Sequence, residues 1–269
     1  MKYNSRTEVE TIGRTGTYSY KEDDAIVARQ MSSFWLYVNP TDKGFTPHAI
    51  SDGYWEAWIT LWMSRNVKPD SVCIDVGANC GFYTFFLAKH RCRVFSFDPD
   101  PKCIALLNRS NRINGCEDHV VIENLAVTDG KAAEITLWEF NGHSMNTTID
   151  GNAETCDSSF IAKTISLDGY FSKKKGVSKI DFVKIDAEGS EELIWHGMQK
   201  TLSANSDCLV LMEFVSSHYA KKGKPFLTNI MKTHRVTYVD YAGDEQPIES
   251  NSFFDTDTED IRMLALRKK

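Results

Sequence analysis

The chain has 269 residues, 42% of them hydrophobic and 25% charged, with a formal net charge of −6. That composition supplies a full apolar core and excludes a disordered chain, and the length suits one large α/β domain or a domain with a small extension. An acidic chain with a pI near 5.7 does not attract a long polyphosphate footprint, and no apolar run reaches membrane-spanning length, so extended nucleic-acid binding and a membrane span are both set aside.

Residues 1–50 read as an N-terminal β extension or cap, with strands at Ala25–Val27 and Phe34–Val38 and a turn at Asn39-Pro40. The main domain is expected over residues 51–269. Trp55, Trp58, Ile59 and Trp62 fall at helical spacing and predict a helix packed on the sheet, with Glu56 the one acid in that apolar set. Met1 to Arg6 lack the apolar stretch of a secretory leader. The seven cysteines are odd in number and contain no Cys-x-x-Cys pair, which predicts buried thiols in a reduced, cytoplasmic setting. The histidines show no metal-ligand spacing, so no metal is expected.

The segment Cys73-Ile74-Asp75-Val76-Gly77-Ala78-Asn79-Cys80-Gly81-Phe82-Tyr83-Thr84 carries the strongest signal. A strand at 72–76 ends in an acid, a glycine loop follows, and a helix begins at 81–89. This is the first βα turn of an open sheet, where nucleotide-like ligands bind. Gly77 and Gly81 lack a Cβ, so the chain can turn sharply and a ligand can approach the backbone. The pattern departs from the dinucleotide fingerprint, because Asn79 stands in place of its middle glycine and no third glycine follows. Asp75 would repel a pyrophosphate but suits a cation, such as the ammonium and sulfonium of S-adenosylmethionine. A second strand, 93–97, ends at Asp98-Pro99-Asp100-Pro101. Asp98 follows Asp75 at about the 20-residue offset of a ribose-binding acid, and a carboxylate accepts both hydroxyls of a diol. Asp98 could also cap the next helix, 102–113.

Strand 119–123 completes two βαβ steps, and Asn124 and Ala126 lie where an adenine edge would be read. Ala133–Phe140 reads as a β-rich excursion and Asn141–Phe160 as a polar loop, in which His143, Ser144 and Asn146 are candidates to close over an acceptor. Asp181–Asp186 is the fourth core strand, Glu191–Leu202 a helix, Cys208–Val215 the fifth strand, and Pro225–Lys232 a helix. Val236–Tyr241 and Ile261–Leu266 are closing strands. Asp186 therefore shares a rim with Asp75 and Asp98, and strand-terminal acids crowded on one crevice are costly without a polar or cationic ligand. Alternation puts Glu188 on the same side as Asp186, and Gly189 lets the chain turn into the helix.

Taken together, Ile74–Thr84, Phe97-Asp98-Pro99-Asp100-Pro101, Thr164-Ile165-Ser166-Leu167-Asp168 and Asp181-Phe182-Val183-Lys184-Ile185-Asp186-Ala187-Glu188-Gly189-Ser190-Glu191 resemble the FkbM-type S-adenosylmethionine-dependent methyltransferases. The resemblance runs in order from about residue 50 to the final strand. It implies a Rossmann-like class I methyltransferase: an α/β fold with a seven-stranded, mostly parallel sheet, helices on both faces, and the last strand inserted antiparallel. It also implies S-adenosylmethionine as cofactor and methyl transfer to a hydroxyl of a sugar or other small molecule, with a peptide side-chain amide as the alternative acceptor. On this reading Glu56, Asp75, Gly77, Ala78, Asn79, Gly81, Tyr83, Thr84, Asp98, Pro99, Asn124, Ala126 and Asp186 are the cofactor candidates. Asp98 stands where the family often has Glu, and His196 where it has a small or basic residue.

A hydroxyl acceptor needs a base, and Asp186 or Glu188 fits, since crowded carboxylates raise one another's pKa. The opposing assignment has Asp186 on the methionine part of the cofactor and Glu188 capping the helix at Ser190. Glu213, at the end of strand five, is either a further base or a paired structural acid. Three rival functions stand beside this one. An RNA ribose 2′-O-methyltransferase would use Lys184 and Asp186 but has no second catalytic lysine. A dinucleotide oxidoreductase lacks its glycine, and a non-catalytic cofactor-binding module leaves the rim acids without a purpose.

Overall fold

The computed structural model describes residues 2–139, 147–148, 156, 158–219, 223–248 and 261–269. The first segment is richer than a β extension. α1 (Arg6–Thr15) starts at Ser5, whose hydroxyl accepts from the Glu8 N–H. β1 (Ser19–Glu22), β2 (Ala25–Gln30) and β3 (Phe34–Val38) form an antiparallel meander. α2 (Phe45–Ser51) starts where Asp42 accepts from the N–H groups of Phe45 and Thr46. Neither helix shows as apolar periodicity, because α1 buries only Val9 and Gly13. Val9, Ala28, Phe34 and Leu36 join the same apolar cluster as Phe82, Phe85 and Leu107.

α3 (Ala57–Asn66) precedes the expected βαβ steps: β4 (Val72–Val76), α4 (Phe82–Lys89), β5 (Arg93–Phe97), α5 (Pro101–Asn114) and β6 (Val120–Glu123). α5 has both of its stops in the sequence. Asp100 accepts from the Lys102 N–H, Pro101 supplies a preset φ, and Gly115 closes the helix in the left-handed region at φ +60°. The cap is therefore Asp100, which leaves Asp98 free for other work.

A second sheet, ordered β7-β10-β8-β9, comprises β7 (Ala126–Val127), β8 (Glu134–Glu139), β9 (Thr147–Thr148) and β10 (Ser158–Ile165). The expected loop at 141–160 thus gives way to strand at Ser158–Phe160. Pairing with β8 decides this, Ser158 facing Glu139 and Phe160 facing Leu137, and that partner lies about 20 residues away in a register the local sequence does not state.

The rest runs α6 (Leu167–Lys173), β11 (Phe182–Ile185), α7 (Glu191–His196), α8 (Gln199–Ala204), β12 (Leu209–Val215), α9 (Ser216–Tyr219), α10 (Gly223–Met231), β13 (His234–Val239), β14 (Glu245–Pro247) and β15 (Ile261–Lys268). The single helix expected over Glu191–Leu202 is two helices. The chain breaks at Gly197, where a Cβ would stand 2.0 Å from the Thr128 carbonyl oxygen. Close backbone packing excludes a side chain there and separates α7 from α8.

The main sheet is ordered β14-β13-β15-β12-β11-β4-β5-β6. Seven strands match the expectation, and the three-residue β14 adds an eighth at the edge. β4, β5, β6, β11 and β12 are parallel, and β15 inserts antiparallel between β12 and β13. Successive residues point to opposite layers: Cys73, Phe182, Leu211 and Ala265 enter one cluster, Ile74, Val183, Met212 and Leu264 the other. Helices cover both faces, which is why these strands read as continuous apolar runs. Among the described residues no helix is long and apolar enough to cross a membrane.

Candidate active site

The C-terminal ends of the parallel strands open into a cavity of about 800 Å³. On one side, from β5 to β7, its wall includes Asp98, Pro99, Asp100, Leu125, Ala126 and Val127. On the other, from α3, β11 and β12, it includes Glu56, Lys184, Asp186, Glu188 and Glu213. The loop Gly77-Ala78-Asn79-Cys80-Gly81 lies between.

The loop is bound tightly to its neighbours. Gly77 and Ala78 donate backbone N–H groups to the Phe97 carbonyl at 3.0 and 3.1 Å. Gly77 has φ +72°, and a Cβ there would stand 1.7 Å from the Asp186 carbonyl oxygen, so only glycine lets the loops after β4 and β11 approach. Three non-glycine residues in the left-handed region also line the cavity: Glu56 (φ +38°), Asn79 (φ +50°) and Glu188 (φ +50°). Such residues concentrate where surrounding structure holds a functional geometry.

Asp98 is buried and receives one backbone N–H on each carboxylate oxygen, from Asn79 on Oδ2 at 2.8 Å and from Asp100 on Oδ1 at 2.9 Å. Burial nonetheless pushes its pKa up to about 7, while those N–H groups pull it down. Each oxygen keeps a lone pair for a further donor.

Asp75 and Thr84 do not reach the cavity wall. Asp75 is fully buried in register with Ser96 on β5 and Lys184 on β11. Thr84 donates to Asp75 Oδ2 at 2.7 Å, and Lys184 Nζ stands 3.5 Å from Asp75 Oδ1. The strand-end acid therefore faces the lysine rather than a ligand. Lys184 spans on to Asp186 Oδ2 at 3.1 Å and the Gly77 carbonyl at 3.1 Å, and these carboxylates hold it protonated against the cost of its burial. Asn124 is also off the wall: its amide donates to the carbonyls of Asp98 and Pro99 and fixes the turn after β5.

Glu56 accepts from the Tyr83 hydroxyl at 2.5 Å; burial and then Asp186 raise its pKa to about 7. Glu188 is raised to about 8 by burial, then Asp186 and Glu191. It does not cap α7. No side chain does; Glu191 Oε1 instead accepts from Ala187 and Gly189 in the loop before the helix, and Glu188 lines the cavity. Glu213 also lines the cavity. It is buried, its Oε2 has no hydrogen-bond partner, and desolvation and the charge of Asp186 lead the causes that hold its pKa far above the usual range.

Of the sequence candidates, the cavity thus brings together Glu56, Gly77, Ala78, Asn79, Gly81, Tyr83, Asp98, Pro99, Ala126, Asp186, Glu188 and Glu213. His143, Ser144 and Asn146 lie outside the described residues. Sequence reasoning passed over Phe45, Trp55, Leu137 and His218, which also line it. Trp55 and Phe45 pack edge to face at 5.1 Å, and Trp55 carried a signal only as a core residue. His218 carried none.

A doubly wound sheet with its ligand cavity at the strand ends, a glycine loop and a rim of acids defines a nucleotide-cofactor enzyme of the Rossmann-like methyltransferase class. The sequence model of the methyltransferase FkbM domain matches residues 75–264, and the chain belongs to that family. It is an S-adenosylmethionine-dependent methyltransferase. No curated protein sequence matches it. Among solved structures, a Pyrococcus horikoshii protein described as a candidate transferase is similar at TM-score 0.50 and 12% identity, covering 93% of this chain and 74% of that one. P. horikoshii TYW2 in complex with MeSAdo aligns at TM-score 0.49 and 12% identity, over 93% and 73% of the two chains. The SAH-bound methyltransferase PaMTH1 of Podospora anserina aligns at 0.46 and 11%, over 80% and 77%.

The donor set fits the cofactor. Glu56, Asp98, Asp100, Asp186, Glu188 and Glu213 line the cavity against Lys184, whose charge is already taken up by Asp75 and Asp186. The surplus is negative, as a ligand with an ammonium and a sulfonium requires, and Asp98 retains the acceptors a ribose diol needs.

Proposed function

We propose that this enzyme moves the methyl group onto a hydroxyl oxygen of a small molecule or sugar. The carrying observation is the grouping of Asp186, Glu188 and Glu213 at one end of the cavity, with Glu188 poised at about 8. Asp98 would hold the ribose, the Gly77–Gly81 loop would border the cofactor, and Asp186, tied to Lys184, would receive the ammonium. When bound, the cofactor supplies a methyl group already activated by its sulfonium, so the protein's share is alignment and removal of one proton. Glu188 would take the hydroxyl proton as the methyl–oxygen bond forms and the methyl–sulfur bond breaks, leaving S-adenosylhomocysteine. A base with a pKa near the working pH is suited to this step.

The cavity favours a compact acceptor over RNA. Its lining offers a single lysine or arginine among the described residues, Lys184, and that cation is buried and paired, whereas a polyphosphate needs several free ones. The test is incubation with methyl-labelled S-adenosylmethionine and a panel of polyols, sugars and asparagine-containing peptides, locating the label by NMR. Label on oxygen, reduced at least about 100-fold by Glu188→Gln with S-adenosylhomocysteine binding intact, supports the reading. Label only on amide nitrogen replaces it with peptide N-methylation. Unchanged turnover in the variant removes Glu188 as the base.

A further inference from the structure

Three side chains from separate segments meet at the cavity wall. Glu188 follows β11, Glu213 lies in β12, and His218 lies on α9. One ligand atom from each falls within 4.8 Å of the other two. Donors sharing one ion at about 2.1 Å stand roughly 3–4 Å apart, so a closing of at most about 1–2 Å completes the set. His218 sits over Gly189: a Cβ built there would lie 3.8 Å from its Nδ1, an ordinary contact, so nothing wedges the imidazole away.

A second observation points to a missing ligand. Glu213 is only 7% exposed, lines the cavity, and leaves Oε2 without any hydrogen-bond partner. Glu56, Asp186, Glu188 and Glu191 surround it with like charge. A buried carboxylate among carboxylates is expensive unless a cation meets it. Lys184, the cation of this cavity, is already held by Asp75 and Asp186.

We propose that Glu188, Glu213 and His218 form a binding site for one divalent transition-metal cation. Two carboxylate oxygens and one imidazole nitrogen make a three-ligand face of mixed oxygen and nitrogen donors, with the remaining positions turned to the cavity. An ion there would coordinate and polarise the acceptor oxygen; this role rests on the hydroxyl-transfer reading above, whereas the site itself does not.

The experiment is titration of the chelator-stripped enzyme with Mn²⁺, following loss of the free-ion EPR signal, with S-adenosylhomocysteine binding measured in parallel by calorimetry. Glu213→Gln and His218→Ala serve as variants. The first exchanges a buried acid for an amide of the same shape and the second changes an exposed side chain, and thermal melting checks that both retain the fold. One Mn²⁺ per chain, weakened at least tenfold by each variant, supports the site. No binding, or equal binding by wild type and both variants, overturns it. S-adenosylhomocysteine binding without Mn²⁺ binding sinks the metal site and leaves the methyltransferase reading standing. Mn²⁺ binding with label transferred only to nitrogen keeps the site and removes the hydroxyl role.

Discussion

Lys184 Nζ stands 3.1 Å from Asp186 Oδ2 at the wall of the cavity. Both charges belong to one short stretch of chain, yet the lysine is 2% exposed while the aspartate reaches the ligand space. A buried cation thus sets the position of the carboxylate assigned to the cofactor's ammonium.

Lys184→Met removes the charge that Asp75 and Asp186 share. Breaking a buried pair leaves uncompensated carboxylates, and we expect a loss of about 3–5 kcal/mol in denaturant unfolding. Adding Asp75→Asn should restore part of it. A single variant as stable as wild type would show the pair to be energetically idle.

Asp98→Ala should weaken S-adenosylhomocysteine binding by about 10- to 100-fold, since charged hydrogen bonds contribute about 1.5–3 kcal/mol each. Calorimetry reads this directly. Affinity within threefold of wild type would take the ribose contact away from Asp98.

The pH dependence has two opposite signs. Glu56 and Asp98 stand at about 7 and Glu188 at about 8, against 4.5, 3.8 and 4.5 ordinarily. Between pH 8 and 5 the folded apo enzyme takes up protons on these groups that the unfolded chain does not. Their contribution therefore makes it more stable as pH falls, by up to about 1.4 kcal/mol per unit for each group once below its folded pKa. Cofactor binding runs the other way, because a diol and a cation need the carboxylates ionised. Melting curves of the apo enzyme should rise from pH 8 to 6 while S-adenosylhomocysteine affinity falls. Parallel trends would contradict the assignment of these acids to the ligand.

Gly77→Ala places a methyl group 1.7 Å from the Asp186 carbonyl oxygen at a φ of +72°. The left-handed backbone alone costs about 1–2 kcal/mol, and the loops must also part. We expect a lower melting temperature together with loss of cofactor binding. A variant that binds normally would mean the two loops separate without consequence for the site.

The chain's own order of residues determined the strand-ending acids, the glycine loop and the cap-to-glycine span of α5, because these are local: apolar runs, turn residues and the spacing between them. Asp98, Asp186 and the Gly77–Gly81 loop were legible for that reason. Tertiary structure decided what each acid does. Asp75 faces Lys184 because β4 and β11 pair in a register no local pattern states. Glu191, not Glu188, satisfies the N–H groups of Ala187 and Gly189, which frees Glu188 for the cavity. Glu213 Oε2 is left without a hydrogen-bond partner among the described residues, and His218 arrives beside it from a short helix with no motif, only when β12 is packed between β11 and β15. A sequence names charges and turns; burial and pairing across distant segments set their partners and their pKa values, and those exist only in the folded chain.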